Sequence, residues 1–341
     1  MIERVLIAGL GSIGQRHLRL LRQRLPDASF MALRHSRASD PIAGIDVTTT
    51  SLDDALAFDP QIAIVATPAP FHANTAIALA NRGVHLLVEK PLSDTAQDAR
   101  RLMQAAEASG VVLQTGYNLR FKHSLTHFRK ALHAGKIGRV ASIRAEVGQY
   151  LPDWRPGTDW RTSVSARGDL GGGVLLELSH EIDYQRWIFG EVHEASAWMG
   201  QQGAWGLDVE DTVHAILKFT GPIPTDQTGA SPVASLTLDF IRRDTVRRCE
   251  AVGEAGTLTW DGVASEVRLT GPEGCDTTHF PADKDRDASY IAQLDAFLDQ
   301  IRSGTAAGAS AADGVEVLEI ADAIRRSSET GSSVTLPDQA G

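Results

Sequence analysis

The chain has 341 residues, 43% of them apolar and 22% charged, which is the balance of a soluble globular protein and more than one hydrophobic core usually serves. A formal net charge of −10 argues against broad electrostatic binding to nucleic acid or to an anionic membrane surface, because both call for a positive field. Cys249 and Cys275, the two cysteines, come with no Cys-x-x-Cys and no clustered His/Cys ligands, so neither a disulfide framework nor a metal site is indicated.

The first element, "RVLIAGLG", is a strand. After it "ASFMALR", "QIAIVATP", "HLLVEKP" and "VVLQTGY" are further strands, and Gln15 to Arg24, Asn74 to Asn81 and Asp94 to Ser109 carry helix-forming residues between them. Strands alternating with helices give a doubly wound parallel sheet. Beyond "HSLTHFRKALHAGKIGRV", itself followed by "ASIRAEVGQY", the texture changes. The strands "EASAWMG", "DTVHAILKFTG", "VASLTLDFI" and "GTLTWDG" follow one another through turns, the signature of a large, mostly antiparallel open sheet. The segment "GPIPTDQTGASP" reads as an exposed loop. Two helices, "DASYIAQLDAFLDQIRSG" and "ADGVEVLEIADAIRRSSETG", close the chain before a partly disordered tail, "SSVTLPDQAG". The expected class is α/β plus α+β, with one domain over 1–118 and a second over 119–341 whose last helix packs back on the first. Apolar runs such as "IAIVATPA" are too short to span a bilayer, and "MIERVLIAGLGSIG" lacks the features of a secretory signal. A cytoplasmic protein is expected.

"IAGLGSIG" sets Gly9, Gly11 and Gly14 in a G-x-G-x-x-G between a strand and a helix, with Ser12 and Ile13 inside it. Gly9 permits the tight turn, Gly11 lets backbone approach a pyrophosphate, and Gly14 lets the helix close on the sheet. The helix N-terminus then offers unpaired N–H groups to the anion. About 20 residues on, where NAD-binding domains usually carry a carboxylate for the ribose, stand Arg34, His35, Ser36 and Arg37. Arginine and hydroxyl groups suit a 2′-phosphate, which favours NADP as cofactor and leaves NAD open.

Four later stretches, "ATPAPFH", "VEKPLS", "GYNLRF" and "GGGVLLELSHEID", resemble, in this order, the family of glucose–fructose oxidoreductases, inositol dehydrogenases and MocA proteins (Gfo/Idh/MocA). The likeness runs through nearly the whole chain. It implies a Rossmann-type domain, then an α/β domain whose open sheet mediates dimer or tetramer contacts, an active site in the cleft between them, and hydride transfer between a nicotinamide and a hydroxyl carbon of a sugar, cyclitol or related molecule. By position, Lys90 matches the motif lysine beside the nicotinamide, His180 the active-site histidine and Asp183 the acid that follows it. Thr67, Pro68, His72 and Glu89 fall with Lys90 on the cofactor side, and Tyr117 and Asn118 on the substrate side. The family's aspartate four places before the histidine is missing, and Glu177 stands three places before it, so its inheritance of that role is open. The broad family also holds glycosidases that keep NAD bound and use transient oxidation for elimination. A nucleotide-sensing regulator is the other alternative, although sensing requires neither Lys90 nor His180.

Alcohol oxidation needs a base at the hydroxyl and a cation for the developing alkoxide, tasks that Lys90 and His180 can divide. Residues 175–189, read as one helix at about 100° per residue, put Leu175, Leu178, Ile182 and Phe189 on an apolar face. Glu177, His180 and Tyr184 fall opposite, with Asp183 beside His180. Upstream, Trp154, Arg155, Asp159, Trp160, Arg161 and Arg167 supply aromatic faces for a sugar and cations for an anion. With Arg120 and Lys122 they point to an acidic sugar or nucleotide-sugar substrate.

Overall fold

The computed structural model describes residues 2–36, 42–220 and 231–337. The chain divides into two compact units, Met1–Asn118 with Tyr290–Leu318, and Leu119–Ser289 with Glu319–Gly341. The first unit thus combines the residues up to Asn118 with a later segment, Tyr290–Leu318.

In the first unit β1 (Arg4–Ala8) leads to α1 (Ser12–Arg24), β2 (Ser29–Leu33), β3 (Val47–Thr49), α2 (Leu52–Ala57), β4 (Ile62–Val65), α3 (His72–Ala80), β5 (His85–Val88), α4 (Ala96–Ala108) and β6 (Leu113–Thr115). The sequence pattern omits β3 and α2, whose few residues are too short to show a period. Ser51 starts α2 by accepting the Asp54 N–H at 3.2 Å, and Thr95 starts α4 by accepting that of Asp98 at 3.2 Å.

The second unit holds α5 (His123–His133), β7 (Val140–Gly148), α6 (Val174–Glu177), α7 (His180–Phe189), β8 (Val192–Gly200), β9 (Thr212–Phe219), β10 (Val233–Asp239), β11 (Val246–Gly253), β12 (Thr257–Asp261), β13 (Glu266–Gly271) and β14 (Gly274–His279). Then come α8 (Ala288–Ser303), β15 (Ala309–Ser310), α9 (Ala311–Thr330) and β16 (Val334–Thr335). The strands β11, β13 and β14 escape the sequence reading; β14 is polar and exposed throughout, so it carries no apolar alternation. Val334–Thr335 pairs with β8, so part of the expected disordered tail is a strand. Ten residues of the expected loop, 221–230, and Arg37 lie outside the described residues.

The first sheet has the order β15-β6-β5-β4-β1-β2-β3, parallel except for β15. Its central strands β1, β4 and β5 are buried nearly throughout, which is why they read as continuous apolar runs. Val5, Ile7, Phe30, Ile64 and Leu87 form its core together with Leu18 and Leu21 of α1 and Leu294, Phe297 and Leu298 of α8. Those α8 residues and the β15–β6 pairing bring the later segment into the first unit. The second sheet has the order β14-β13-β12-β11-β7-β10-β9-β8-β16, antiparallel except for the β7–β10 pair. Along β9, Val213, Ala215, Leu217 and Phe219 are buried while His214, Ile216 and Lys218 are exposed, the alternation of a sheet with one covered face. No helix among the described residues is long and apolar enough to cross a membrane.

Candidate active site

Strand register assembles the first half of the site. Ala8 of β1 pairs with Val65 of β4, Val65 with Val88 of β5, and Val88 with Thr115 of β6, so four parallel strands end on one line. The stretches Gly9–Gly14, Ala66–His72, Glu89–Lys90 and Gly116–Asn118 begin one residue beyond that line. They share the carboxyl edge of the sheet, where ligands bind in such folds. The strand order reverses between β4 and β1, at the head of this edge.

The glycine loop is shaped for a phosphate. Gly9 has φ +91° and donates its N–H to Leu33 O at 3.0 Å; a Cβ there would lie 2.6 Å from Ala66 O. A Cβ on Gly14 would collide with the carbonyl oxygen of Gly9, whereas one on Gly11 would have nothing within 4 Å. Space is therefore left at Gly11, the N-cap of α1, where no side chain caps the helix. The first-turn N–H groups of α1, including those near Ser12 and Ile13, suit a dinucleotide pyrophosphate. Thr67 adds a buried hydroxyl, Oγ1, that lacks a hydrogen-bond partner in the described protein. The fit of a dinucleotide to this cradle rests on those two observations. Arg34 is partly buried just after β2, and His35 and Ser36 are exposed beside it.

Glu89 and His72 are placed differently from a ligand-facing row. His72 is buried, with Nδ1 3.0 Å from Pro91 O and Nε2 2.6 Å from Thr67 O, so its ring ties the stretch after β4 to the one after β5. A neutral imidazole donates from one nitrogen only, so one of these two contacts carries the hydrogen bond while the buried ring spans both stretches. Burial pushes this imidazole below its usual value, against the pull of the two carbonyls. Pro68 opens the short 3-10 turn that precedes it. The Glu89 carboxylate is buried, faces His17 Nε2 at 2.7 Å and accepts the Lys90 N–H at 3.3 Å. Burial pushes its pKa up, but the His17 hydrogen bond and the charges of His17 and Lys90 outweigh this and hold it below the usual range. Lys90 is partly buried and its peptide bond to Pro91 is cis. Tyr117 and Asn118 are buried.

In the second unit the expected single helix over 175–189 is two. After α6 the backbone tightens, with Ser179 N–H bonding Leu176 O and Glu181 N–H bonding Leu178 O, both i to i+3, before α7 begins at His180. Glu177 therefore ends one helix and His180 begins the next. Glu177 accepts a hydrogen bond from Ser165 Oγ at 3.1 Å. The polar groups of α7 do not face solvent either. Asp183 and Arg120 form a buried two-point pair (2.6 and 3.0 Å), Glu181 pairs with Arg247 (2.8 Å), and Arg186 pairs with Glu191. Tyr184, expected on the polar face, is fully buried and meets Trp260 edge to face. His180 is the first residue of α7 and almost fully buried.

The glycines before α6 make room for other groups. A Cβ on Gly172 would meet the carbonyls of Val164, Ser165 and Arg167, and one on Gly173 (φ +102°) would lie 2.6 Å from a Glu210 carboxylate oxygen. Glu210 also accepts the Leu175 N–H at 3.0 Å, and burial pushes its pKa up.

Of the basic groups expected to grip an anion, Arg120 is committed to Asp183, Lys122 Nζ donates to Asp283 O at 3.0 Å, and Arg167 pairs with Asp169. Arg155 is exposed, and Arg161 lies over the Trp160 ring at 4.5 Å, near Asp159. Trp154 packs its edge on Phe240. Trp160 meets Trp205, which meets Tyr150, and Arg243 caps that ring. Tyr150, Trp205, Arg243, Glu210 and His17 are the members that the sequence reading missed. His17 alone left a signal, since it follows Gly14 by three and precedes Leu18 and Leu21 on the buried stripe of α1.

A dinucleotide cradle in a doubly wound unit, followed by a unit on an open antiparallel sheet, defines a two-domain nicotinamide-dependent oxidoreductase. Residues 3–117 match the family model for the oxidoreductase family, NAD-binding Rossmann fold, and residues 129–336 match that for the C-terminal alpha/beta domain; the chain belongs to the Gfo/Idh/MocA oxidoreductase family. It is 30% identical over 307 residues to a 1,5-anhydro-D-fructose reductase of Ensifer adhaerens (86% of this chain, 85% of the relative). It is 28% identical to a myo-inositol 2-dehydrogenase of Thermotoga maritima (99% of this chain, 100% of the relative). Its fold is that of a levoglucosan dehydrogenase solved in complex with NADH, with TM-score 0.82, 22% identity and coverage of 98% of this chain and 99% of the other.

The two loop glycines separate fold from binding. Gly14→Ala is expected to lower thermal stability measurably, because its Cβ has nowhere to go, while Gly11→Ala keeps the wild-type melting curve and loses about tenfold or more in NAD(P)H affinity by fluorescence titration. Unchanged affinity in Gly11→Ala would remove the pyrophosphate from this loop.

Proposed function

We propose that the protein is a dehydrogenase that moves a hydride between a nicotinamide, NADP in preference to NAD, and a hydroxyl carbon of a sugar, cyclitol or sugar derivative. The observation that carries this is the shared register line, which puts Lys90 on the same sheet edge as the Gly9–Gly14 cradle, two strands away or about 10 Å at ordinary strand spacing. The reductase and dehydrogenase relatives support the substrate class.

A bound nicotinamide would supply the hydride acceptor. The chain's own groups handle the proton: His180 takes it from the hydroxyl as the base, and the Lys90 ammonium stabilises the developing alkoxide. Asp183 and Glu177 act as positioning residues, the first through its pair with Arg120 and the second through Ser165. With Arg120, Lys122 and Arg167 engaged elsewhere, an acidic substrate would have to rely on Arg155 and Arg161. A neutral polyol or sugar lying against the Trp160 cluster fits these aromatic faces as well.

Lys90→Met and His180→Asn are expected each to lower kcat by about 10²- to 10⁴-fold, with NAD(P)H affinity within about threefold of wild type. Wild-type turnover by His180→Asn would sink the base assignment. Product release from a sugar panel with no net nicotinamide absorbance change would replace net oxidation by transient oxidation and elimination.

Arg34 and Ser36 support the NADP preference. Arg34→Ala should lower the ratio of NADP to NAD affinity about tenfold, the worth of a charge-assisted hydrogen bond; an unmoved ratio would overturn it.

We also propose a cytoplasmic homodimer or homotetramer. Trp198 (46% exposed), Ile216 (43%) and Val233 (37%) lie on neighbouring strands of the uncovered sheet face, an apolar patch suited to a second copy. Ile216→Lys is expected to shift the sedimentation profile toward monomer, and an unshifted profile would locate the contact elsewhere.

A further inference from the structure

We propose that the loops at one end of the second sheet carry a subsite for a further sugar ring, built on Tyr150, Trp160 and Trp205, so that the substrate is an uncharged disaccharide or other glycoside. The inference rests on the reading of the protein as a sugar dehydrogenase and names the substrate class of that same site.

Strand register gathers the residues. Gly148 of β7 pairs with Asp239 of β10, Asp239 with Thr212 of β9, and Thr212 with Gly200 of β8. The segments 149–173, 201–211 and 240–245 leave the sheet at this line. Backbone bonds tie them together just beyond it, from Leu151 N–H to Phe240 O (2.9 Å), from Phe240 N–H to Asp211 O (2.9 Å) and from Asp211 N–H to Gly200 O (3.1 Å). The turn that leads to His180 is fastened at the same end, since Glu210 accepts the Val174 N–H on its backbone oxygen at 3.1 Å and the Leu175 N–H on its carboxylate at 3.0 Å.

Three aromatic rings on these segments form a row. Trp205 stands in the middle, edge to face with Trp160 at 5.1 Å and with Tyr150 at 5.8 Å, and all three side chains are only half-buried. Such a row is longer than one pyranose, and its apolar faces suit the C–H face of a sugar. Donors for hydroxyl groups flank it, with Arg161 over Trp160 at 4.5 Å and Arg243 over Tyr150 at 3.9 Å. On the same stretch, Trp154 Nε1 and Ser163 Oγ are buried and have no hydrogen-bond partner among the described residues. Buried polar atoms of this kind call for a partner.

Charge argues against an anion as the occupant. Segment 149–173 sets Arg155, Arg161 and Arg167 against Asp153, Asp159 and Asp169, and segment 201–211 adds acids but no base. No positive field is left to hold a carboxylate or phosphate. Rings packed together only to cover the sheet end would give no preference for a second sugar ring.

The test compares kcat/KM of the full-length holoenzyme for maltose, cellobiose and trehalose with that for glucose, and for lactose with that for galactose. At least one disaccharide should exceed its monosaccharide about tenfold, the worth of one stacked ring. That ratio should fall about tenfold in Trp205→Ala and in Trp160→Ala, and be largely kept in Trp205→Phe, which retains a ring. A loop merely loosened by the substitution would lower both rates and leave the ratio in place. Should Trp205→Ala fail to fold, Trp205→Leu replaces it. Monosaccharides preferred throughout by the wild type, or a ratio that ignores Trp205→Ala, overturns the proposal. If none of these sugars reduces the nicotinamide, the dehydrogenase reading falls, and calorimetric titration with the same sugars decides the subsite by itself. Disaccharide binding that is tighter than monosaccharide binding and is weakened about tenfold by Trp205→Ala upholds it; equal binding, or none, overturns it.

Discussion

Parallel strands that pair in register also stop together, and everything chemical in the first unit follows from that constraint. Ala8, Val65, Val88 and Thr115 stand side by side, so stretches separated by more than a hundred residues in sequence leave the sheet at one edge. The backbone hydrogen bonds of the ladder fix this alignment without help from the side chains that use it. His72 and Glu89 then lock the emerging loops to one another, the first through carbonyls, the second through His17.

In the second unit charge does work usually left to apolar packing. The helix α7 carries acids and an arginine into a buried setting and meets each with an opposite partner. Buried ion pairs seldom add net stability over apolar residues of the same shape, but breaking one is costly, commonly about 3–5 kcal/mol. Such pairs discriminate strongly against a helix that is rotated or shifted, since any displacement strands a charge. His180, at the first position of α7, inherits that fixed orientation.

Much of this was legible in the sequence because local rules and global fold agree there. The G-x-G-x-x-G announced the cradle through the same steric needs that the structure displays at Gly9 and Gly14. Apolar runs announced the buried strands. The failures have physical causes. A two-residue interruption by i to i+3 bonds at Leu178 and Ser179 leaves no mark on composition, yet it ends one helix and begins the next. The partners of Asp183 and Glu181 lie 63 and 66 positions away, at Arg120 and Arg247, and no periodicity connects them. Polar β14 offers no alternation to detect. Residues were therefore easier to place on elements than in pairs.

The glycines carry a different kind of information from the side chains around them. At Gly14 the missing side chain is replaced by the carbonyl of Gly9, at Gly116 by the carboxylate of Glu89, and at Gly173 by the carboxylate of Glu210. Each is a mould whose cast lies elsewhere in the chain. A substitution survey would register all three as intolerant although none offers a reactive group. Moving a function of this kind to another scaffold would thus mean transplanting the mould and the cast together.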